Sequence, residues 1–116
     1  MKVSFDWDST LAEPRIQKLA KKFIDAGHEV YITTSRTGTP LPHANWDNKI
    51  IFTIAERLGI PKENIRFTNY VDKWEFLQGF DIHFDDDPYE IQLIEENIDC
   101  VGVIINDFEY HEEKNN

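Results

Sequence analysis

Cysteine is almost absent from this chain, because Cys100 is the single thiol among its 116 residues. One thiol cannot form a disulfide within the chain, so we expect a reducing compartment, the cytoplasm. Long apolar runs are missing as well, and no stretch approaches the roughly 20 residues of a membrane-spanning helix. The N-terminus lacks the basic and then apolar pattern of an export signal. These absences predict a cytoplasmic protein without a membrane partner.

Basic residues are also scarce, with 12 Lys and Arg against 22 Asp and Glu, a formal net charge of -10. Such a charge disfavours loose binding to nucleic acid, although a local basic patch would still permit it. The same acidity suits divalent cations. With 41% hydrophobic and 13% aromatic residues, the chain can build the core of one domain.

Strand and helix patterns alternate along the chain. Apolar spacing predicts helices over 14–26, from Ile50 to Leu58 and after Pro88, and the pair Asp72 and Glu75 predicts a short capped helix between them. Runs of β-branched and aromatic residues predict strands at 2–5, 29–34, 65–68, 80–84 and 100–105. This alternation predicts an α/β fold, a single Rossmann-like three-layer domain with a five-stranded parallel sheet.

Polar side chains follow three of these strands where each one ends. Asp6 and Asp8 come directly after the first strand, and two anions so close together usually imply a bound cation or a shared proton. Because the carboxyl ends of parallel strands share one edge of a sheet, we expect the polar groups to meet in one crevice. The converging residues are Asp6, Asp8, Thr10, Thr34, Ser35, Asp85 and Asp86, with Lys73 within reach.

The segment Asp6-Trp7-Asp8-Ser9-Thr10 resembles the first motif of the haloacid dehalogenase superfamily. Thr34 resembles the second motif, Lys73 the third and the pair Asp85-Asp86 the fourth. The resemblance covers nearly the whole chain. We assign residues 1–108 to a core of this type and residues 109–116 to a polar C-terminal tail.

The resemblance implies a Mg²⁺-dependent phosphomonoester hydrolase that works through an aspartyl-phosphate. Asp6 would be the nucleophile and Asp8 the general acid and base. Thr34 and Lys73 would stabilise the transferring phosphoryl group, and Thr10 and Ser35 would help to bind it. The Mg²⁺ ligands would be Asp6, the backbone carbonyl of Asp8, and Asp85 and Asp86.

Two departures from the family pattern stand out. Ser9 replaces the common glycine, which is tolerable if its φ is negative. The gaps before Pro14 and over 69–72 have no room for a cap domain, so we expect a capless protein with an open site. Such a site would take a large phosphorylated substrate or use a neighbouring copy of the chain as a lid, and the loop Thr37–Asp47 could cover it locally. The substrate stays open among a nucleotide, a sugar phosphate, a nucleic-acid end and a phosphoprotein.

Two other functions remain open. A receiver module also uses aspartates, Thr or Ser, and Lys on a parallel sheet, but its phospho-accepting aspartate follows the third strand, where this chain has Thr68-Asn69. A catalytically silent relative would act as a binding or regulatory protein.

Four further residues have simple structural interpretations. Asp87 is predicted to cap the helix after Pro88. We expect His83 to be a neutral, packed residue and Cys100 to lie in the core. Arg36 could bind phosphate or pair with an acidic residue, and we leave it outside the predicted site.

Overall fold

Five parallel strands form one sheet in the computed structural model, which describes residues 1–40 and 42–105. The strands are β1 (Lys2–Phe5), β2 (Glu29–Thr34), β3 (Ile65–Phe67), β4 (Ile82–Asp85) and β5 (Val101–Ile104), in the order β3-β2-β1-β4-β5. The prediction of a Rossmann-like α/β domain with a five-stranded parallel sheet is confirmed. The proposed tail, 109–116, lies outside the described residues.

Three α-helices connect the strands, α1 (Pro14–Asp25), α2 (Lys49–Leu58) and α3 (Pro88–Asn97). Asp87 caps α3 as predicted, since its carboxylate accepts a hydrogen bond from the Tyr89 N–H at 2.9 Å. The predicted helix after Asp72 is a single 3₁₀ turn, Lys73–Phe76, and the Asp72 side chain makes no cap hydrogen bond to a described residue. The capping-box interpretation was therefore wrong.

Apolar side chains fill both faces of the sheet. On one face, Val3 and Phe5 of β1 pack with residues of α1 and α2, and the Phe5 and Phe84 rings stack with centroids 4.8 Å apart. On the other face, Ile91 and Ile94 of α3 form a second cluster that includes Cys100, which is buried as predicted. Helices on both faces give the expected three layers.

Two of the loops at the C-terminal edge of the sheet are short, those that follow β1 and β3. An irregular turn, Trp7–Leu11, leads almost directly into α1, and four residues separate Thr68 from Lys73. Neither connection carries a cap domain, as expected. Within the described ranges, no helix is both long and apolar enough to cross a membrane.

The contact between α3 and β5 is close enough to test. A Cβ atom added to Gly102 would lie 2.8 Å from Cγ2 of the buried Ile91. We expect Gly102→Ala to lower the free energy of unfolding by about 1–3 kcal/mol, the usual cost of overpacking. Gly38→Ala is the matched control, because its Cβ would lie an ordinary 3.7 Å from Phe67. Chemical denaturation measures both changes, and equal stabilities would contradict the tight contact.

Candidate active site

Three carboxylates meet at the C-terminal edge of the sheet. Asp6 follows β1, Asp85 ends β4, and Asp86 follows it; one oxygen of each lies within 4.8 Å of the others. Asp6 and Asp85 are buried and Asp86 is half-buried. They line a cleft of about 410 Å³, whose walls are Asp6, Asp8, Ser35, Lys73, Asp85, Asp86, Asp87 and Pro88.

Lys73 joins two of these carboxylates. Its Nζ donates to Asp6 Oδ1 at 2.8 Å and to Asp85 Oδ2 at 2.7 Å, and the Lys73 side chain is only 3% exposed. The Lys73 backbone N–H donates to Glu90 Oε2 at 3.1 Å, which ties the turn to α3. Lys62, the lysine that precedes Lys73 in the sequence, lies against the Phe52 ring instead. The structure therefore brings Lys73 into the site.

Burial and charge shift the pKa values of all four groups. Burial and the charge of Asp85 raise the pKa of Asp6 well above its usual value, despite Lys73. Burial alone would raise the pKa of Asp85 too, but hydrogen bonds from His83 and Lys73 hold it far below its usual range. Burial lowers the pKa of Lys73, and the two carboxylates more than reverse this. Burial, with the Asp85 charge, also raises the pKa of Asp86. One ammonium thus leaves the cluster with excess negative charge.

The donor set fits a hard divalent cation. Three carboxylates and one ammonium leave two negative charges when all are ionised, and Mg²⁺ prefers oxygen ligands. Burial raises the pKa values of Asp6 and Asp86, and the negative charge of Asp85 raises them further. A bound cation would offset that charge. Asp6, Asp85 and Asp86 could therefore hold Mg²⁺, which stays a prediction.

The three predicted hydroxyl residues differ in position. Thr10 is fully buried and donates to Asp6 Oδ2 at 3.2 Å, so it orients the Asp6 carboxylate. Thr34 is fully buried at the end of β2, and its Oγ1 accepts from the Arg36 N–H at 3.3 Å. Ser35 lines the cleft. Thr33, the neighbour of Thr34, lies deeper in the sheet, where its Oγ1 contacts Ser4 and Arg66. Phosphate binding by Thr10, Thr34 and Ser35 stays a prediction.

Asp8 stands apart from the three carboxylates because Arg36 holds it. Arg36 Nη2 donates to Asp8 Oδ1 at 2.7 Å, and Nε donates to Oδ2 at 3.0 Å. The Asp8 side chain is 59% exposed at the rim of the cleft. The sequence interpretation left Arg36 out of the site. Its place two residues after Thr34, at the same sheet edge, was the signal that could have included it.

Arg36 also contacts the Thr37–Asp47 loop, which could cover the site. Its Nη1 donates to the Asp47 carbonyl at 3.0 Å, and its guanidinium lies 4.8 Å from the centre of the Trp46 ring. The amide of Asn48 donates to the carbonyls of Thr37 and Gly38 at 3.0 and 2.9 Å. One guanidinium thus connects Asp8 to the Thr37–Asp47 loop, whose role as a lid stays a prediction.

The backbone at this edge includes left-handed residues. Ser9 has a φ of 58°, so the condition under which a residue other than Gly is tolerable there, a negative φ, is not met. Asn69 and Tyr70 have φ 55 and 66, and the Tyr70 N–H donates to the Ser35 carbonyl at 2.8 Å. Such conformations cost of the order of 1 kcal/mol each for residues with a Cβ atom. This conformational strain lies at the C-terminal edge of the sheet, and strained residues commonly cluster at functional sites.

His83 is packed as predicted, but it also touches the site. It is fully buried, and burial lowers its pKa, which favours the neutral ring. One ring nitrogen lies 2.8 Å from Asp85 Oδ2 and the other 3.0 Å from Ser4 Oγ. The sequence interpretation missed the contact with Asp85, although His83 and Asp85 are two positions apart on β4 and side chains two positions apart share a face.

Lys73 should be essential to the stability of this cluster. Replacing one partner of a buried ion pair leaves an uncompensated charge, so we expect Lys73→Met to lower the free energy of unfolding by about 3 kcal/mol. The matched control is the exposed Lys62→Met, with a change within about 0.5 kcal/mol. Denaturation of the metal-free protein measures both. If Lys73→Met were as stable as the control, the buried ion pairs would not exist in solution.

No model of a known protein family matches this sequence, and a search of curated proteins gave no match either. The side chains of the site are therefore the basis on which a function can be assigned. Their chemistry is that of a carboxylate cluster around one buried ammonium.

Proposed function

We propose that this protein is a Mg²⁺-dependent phosphomonoester hydrolase of the haloacid dehalogenase type, with an aspartyl-phosphate intermediate on Asp6. The observation that carries the proposal is the buried group of Asp6, Lys73 and Asp85, with Asp86 beside it. It lies at the sheet edge where parallel α/β proteins bind their ligands. The four motifs that suggested the family all contribute residues to this edge.

Asp6 suits the role of nucleophile because both of its oxygens are oriented. Lys73 donates to Oδ1 and Thr10 donates to Oδ2. An oxygen held in this way can attack phosphorus in line with the ester oxygen, so that a new O–P bond forms as the ester bond breaks. The Lys73 ammonium then lies beside the negative charge of the transferring phosphoryl group.

Asp6, Asp85, Asp86 and the Asp8 carbonyl would hold the cation. When bound, Mg²⁺ supplies neutralisation of the phosphoryl oxygens, which lets one anion approach another. Asp85 is well fixed for this task, since it also accepts from the Asp87 N–H at 3.1 Å through Oδ1. Its two oxygens therefore have defined directions.

Asp8 would protonate the leaving oxygen and later activate water. Arg36 occupies both oxygens of Asp8, so Asp8 must turn away from the guanidinium before it can act as an acid. A phosphoryl group is a natural replacement partner, because the guanidinium fork binds phosphate as it binds a carboxylate. Substrate would in this way release Asp8 toward the cleft.

The strand order argues against a receiver module. Receivers belong to the doubly wound order 2-1-3-4-5, whereas this sheet has the order 3-2-1-4-5. The residue after β3 is Thr68, not an aspartate. A catalytically silent binding protein would keep the same fold, so activity decides between that alternative and an enzyme.

The missing cap domain, the net charge and the cysteine content narrow the class of substrate and the compartment. A site without a cap domain suits a bulky phosphorylated substrate, or a neighbouring copy of the chain that serves as a lid. The net charge of -10 makes a nucleic-acid substrate less favoured than a nucleotide, sugar phosphate or phosphoprotein. We place the protein in the cytoplasm on its cysteine usage.

Activity tests the proposal directly. We expect hydrolysis of an aryl phosphate in the presence of Mg²⁺ and its loss in excess chelator. Asp6→Asn should abolish turnover, because an amide cannot form the acyl-phosphate bond. Asp25→Asn, on the outer side of α1 and paired with Lys21, is the matched control and should keep the full rate. A chelator-resistant rate, or full activity of Asp6→Asn, would refute the mechanism.

Asp8 should govern the second half of the reaction. With an aryl phosphate, whose leaving group needs no proton, Asp8→Asn should still form the phosphoenzyme, but water should attack it slowly. Rapid quench and intact mass measurement should detect a species heavier by about 80 Da, one phosphoryl group on the nucleophile. With an alkyl phosphate, the same variant should lose roughly 10²–10⁴-fold in rate.

The double variant Asp6→Asn/Asp8→Asn is the control, since it has no nucleophile to trap. Equal slowing of aryl and alkyl substrates by Asp8→Asn, without a trapped species, would assign Asp8 a structural role.

A further inference from the structure

We infer that His83 is a positioning residue, which orients Asp85 toward the cation through a polar chain that begins at Arg66 on the far strand of the sheet. The inference rests on the proposed function for its purpose, the binding of Mg²⁺. Its geometry stands on hydrogen bonds between described residues. The chain runs through Arg66, Thr33, Ser4, His83 and Asp85.

The chain crosses four adjacent strands. Arg66 Nη2 on β3 lies 3.1 Å from Thr33 Oγ1 on β2, and Thr33 Oγ1 lies 2.8 Å from Ser4 Oγ on β1. Ser4 Oγ lies 3.0 Å from His83 Nδ1 on β4, and His83 Nε2 lies 2.8 Å from Asp85 Oδ2.

The register of the sheet explains this continuity. Arg66 is the partner of Thr33 in the pairing of β2 with β3, and Ser4 is the partner of His83 in the pairing of β1 with β4. Thr33 lies two residues beyond the partner of Ser4, Tyr31, so it reaches Ser4 diagonally on the same face.

The Asp85 end of the chain fixes the direction of the hydrogen bonds. An ionised carboxylate can only accept, so His83 Nε2 carries the hydrogen, and Nδ1 of the neutral ring accepts from Ser4. The single hydroxyl hydrogen of Ser4 is then used, so Ser4 accepts from Thr33. Thr33 in turn accepts from the Arg66 guanidinium, which can only donate, so the other end of the chain is compatible with the same tautomer, a neutral ring protonated on Nε2.

This arrangement prevents the ring from moving. Ser4, Thr33 and His83 are each fully buried, so a ring turned away from Asp85 would leave buried donors and acceptors without partners. Asp85 Oδ2 thus has a fixed donor in the sheet, in addition to Lys73. Outer partners of this kind orient a ligating carboxylate, and their loss typically costs about 10–100-fold in metal affinity.

The role of His83 can be tested by replacing its ring with either of two amide side chains. Glutamine carries its amide nitrogen near the position of Nε2, while asparagine reaches only the position of Nδ1. We expect His83→Gln to keep most of the Mg²⁺ affinity and His83→Asn to lose about 10–100-fold, measured by calorimetric titration. Both variants lose the ring, so a role in packing alone would weaken them equally, and that result would overturn the inference.

Ser4→Ala tests the chain further from the metal, should the histidine variants fold poorly. It removes the donor to Nδ1, and we expect weaker Mg²⁺ binding than in wild type. The matched control is Thr68→Val, which removes a buried hydroxyl that has no hydrogen-bond partner among the described residues. Equal affinities for Ser4→Ala and Thr68→Val would contradict a role for the chain.

A measurement without metal separates this inference from the proposed function. Imidazole ¹⁵N spectra of the metal-free protein should show His83 as the neutral Nε2–H tautomer, with Nδ1 as a hydrogen-bond acceptor. Ser4→Ala should shift the Nδ1 signal to that of an unbonded nitrogen, and Thr68→Val should not. An Nδ1–H tautomer or a cationic ring would overturn the inference. Absence of Mg²⁺ binding in wild type, with the Nε2–H tautomer present, would instead overturn the proposed function alone.

Discussion

The buried ammonium of Lys73 is the constraint on which the rest of the site depends. A lysine that is 3% exposed has lost its hydration, and the hydrogen bonds to Asp6 and Asp85 offset that loss. Those carboxylates lie on neighbouring strands because β1 pairs with β4, and the Asp6 N–H donates to the Phe84 carbonyl at 2.9 Å. The sheet order therefore brings together the two carboxylates that stabilise the buried ammonium. The ammonium in turn stabilises two carboxylates that are buried side by side.

The same cluster explains why one face of the sheet carries buried polar side chains beside its apolar ones. Asp85 is held there by donors from the sheet itself, through His83 and the hydroxyls behind it. The opposite face at the same level carries Phe5 and Phe84, stacked under α1 and α2. Strand alternation thus keeps the buried polar groups next to the carboxylates and leaves the opposite side of these strands to apolar packing.

The fold was predictable because its signals are local and repeated. Apolar spacing located α1, α2 and α3, and β-branched runs located the strands to within two residues. The parallel topology then brought Asp6, Asp85 and Asp86 to one edge. Side-chain pairings were not predictable in this way. Arg36 could have met any of the 22 acidic residues, and its pairing with Asp8 depends on how the turn after β1 lies beside β2.

The missed features share a physical cause, the competition between local and tertiary preferences. The pair Asp72 and Glu75 predicted a capped helix, but the segment folds as one 3₁₀ turn, whose Lys73 reaches the buried carboxylates while its N–H is held by Glu90. Ser9 adopts a left-handed φ of 58, where Gly would be unstrained, because the turn between Asp6 and Thr10 requires it. In both places the demands of the site override the local preference of the sequence.

The two cations of the site are matched to different tasks by their burial. The Lys73 ion pairs are almost fully buried, so breaking one of them would leave a buried charge without a partner. These pairs are therefore fixed parts of the structure. The Arg36 pair includes an Asp8 side chain that is 59% exposed, and ion pairs of that kind contribute only about 0–1 kcal/mol. Water can replace either partner at little cost, and a phosphate oxygen can replace Asp8 on the guanidinium. In the proposed mechanism, the acid and base that changes partners during the reaction therefore belongs in such a pair, whereas the nucleophile that keeps its direction belongs beside the buried lysine.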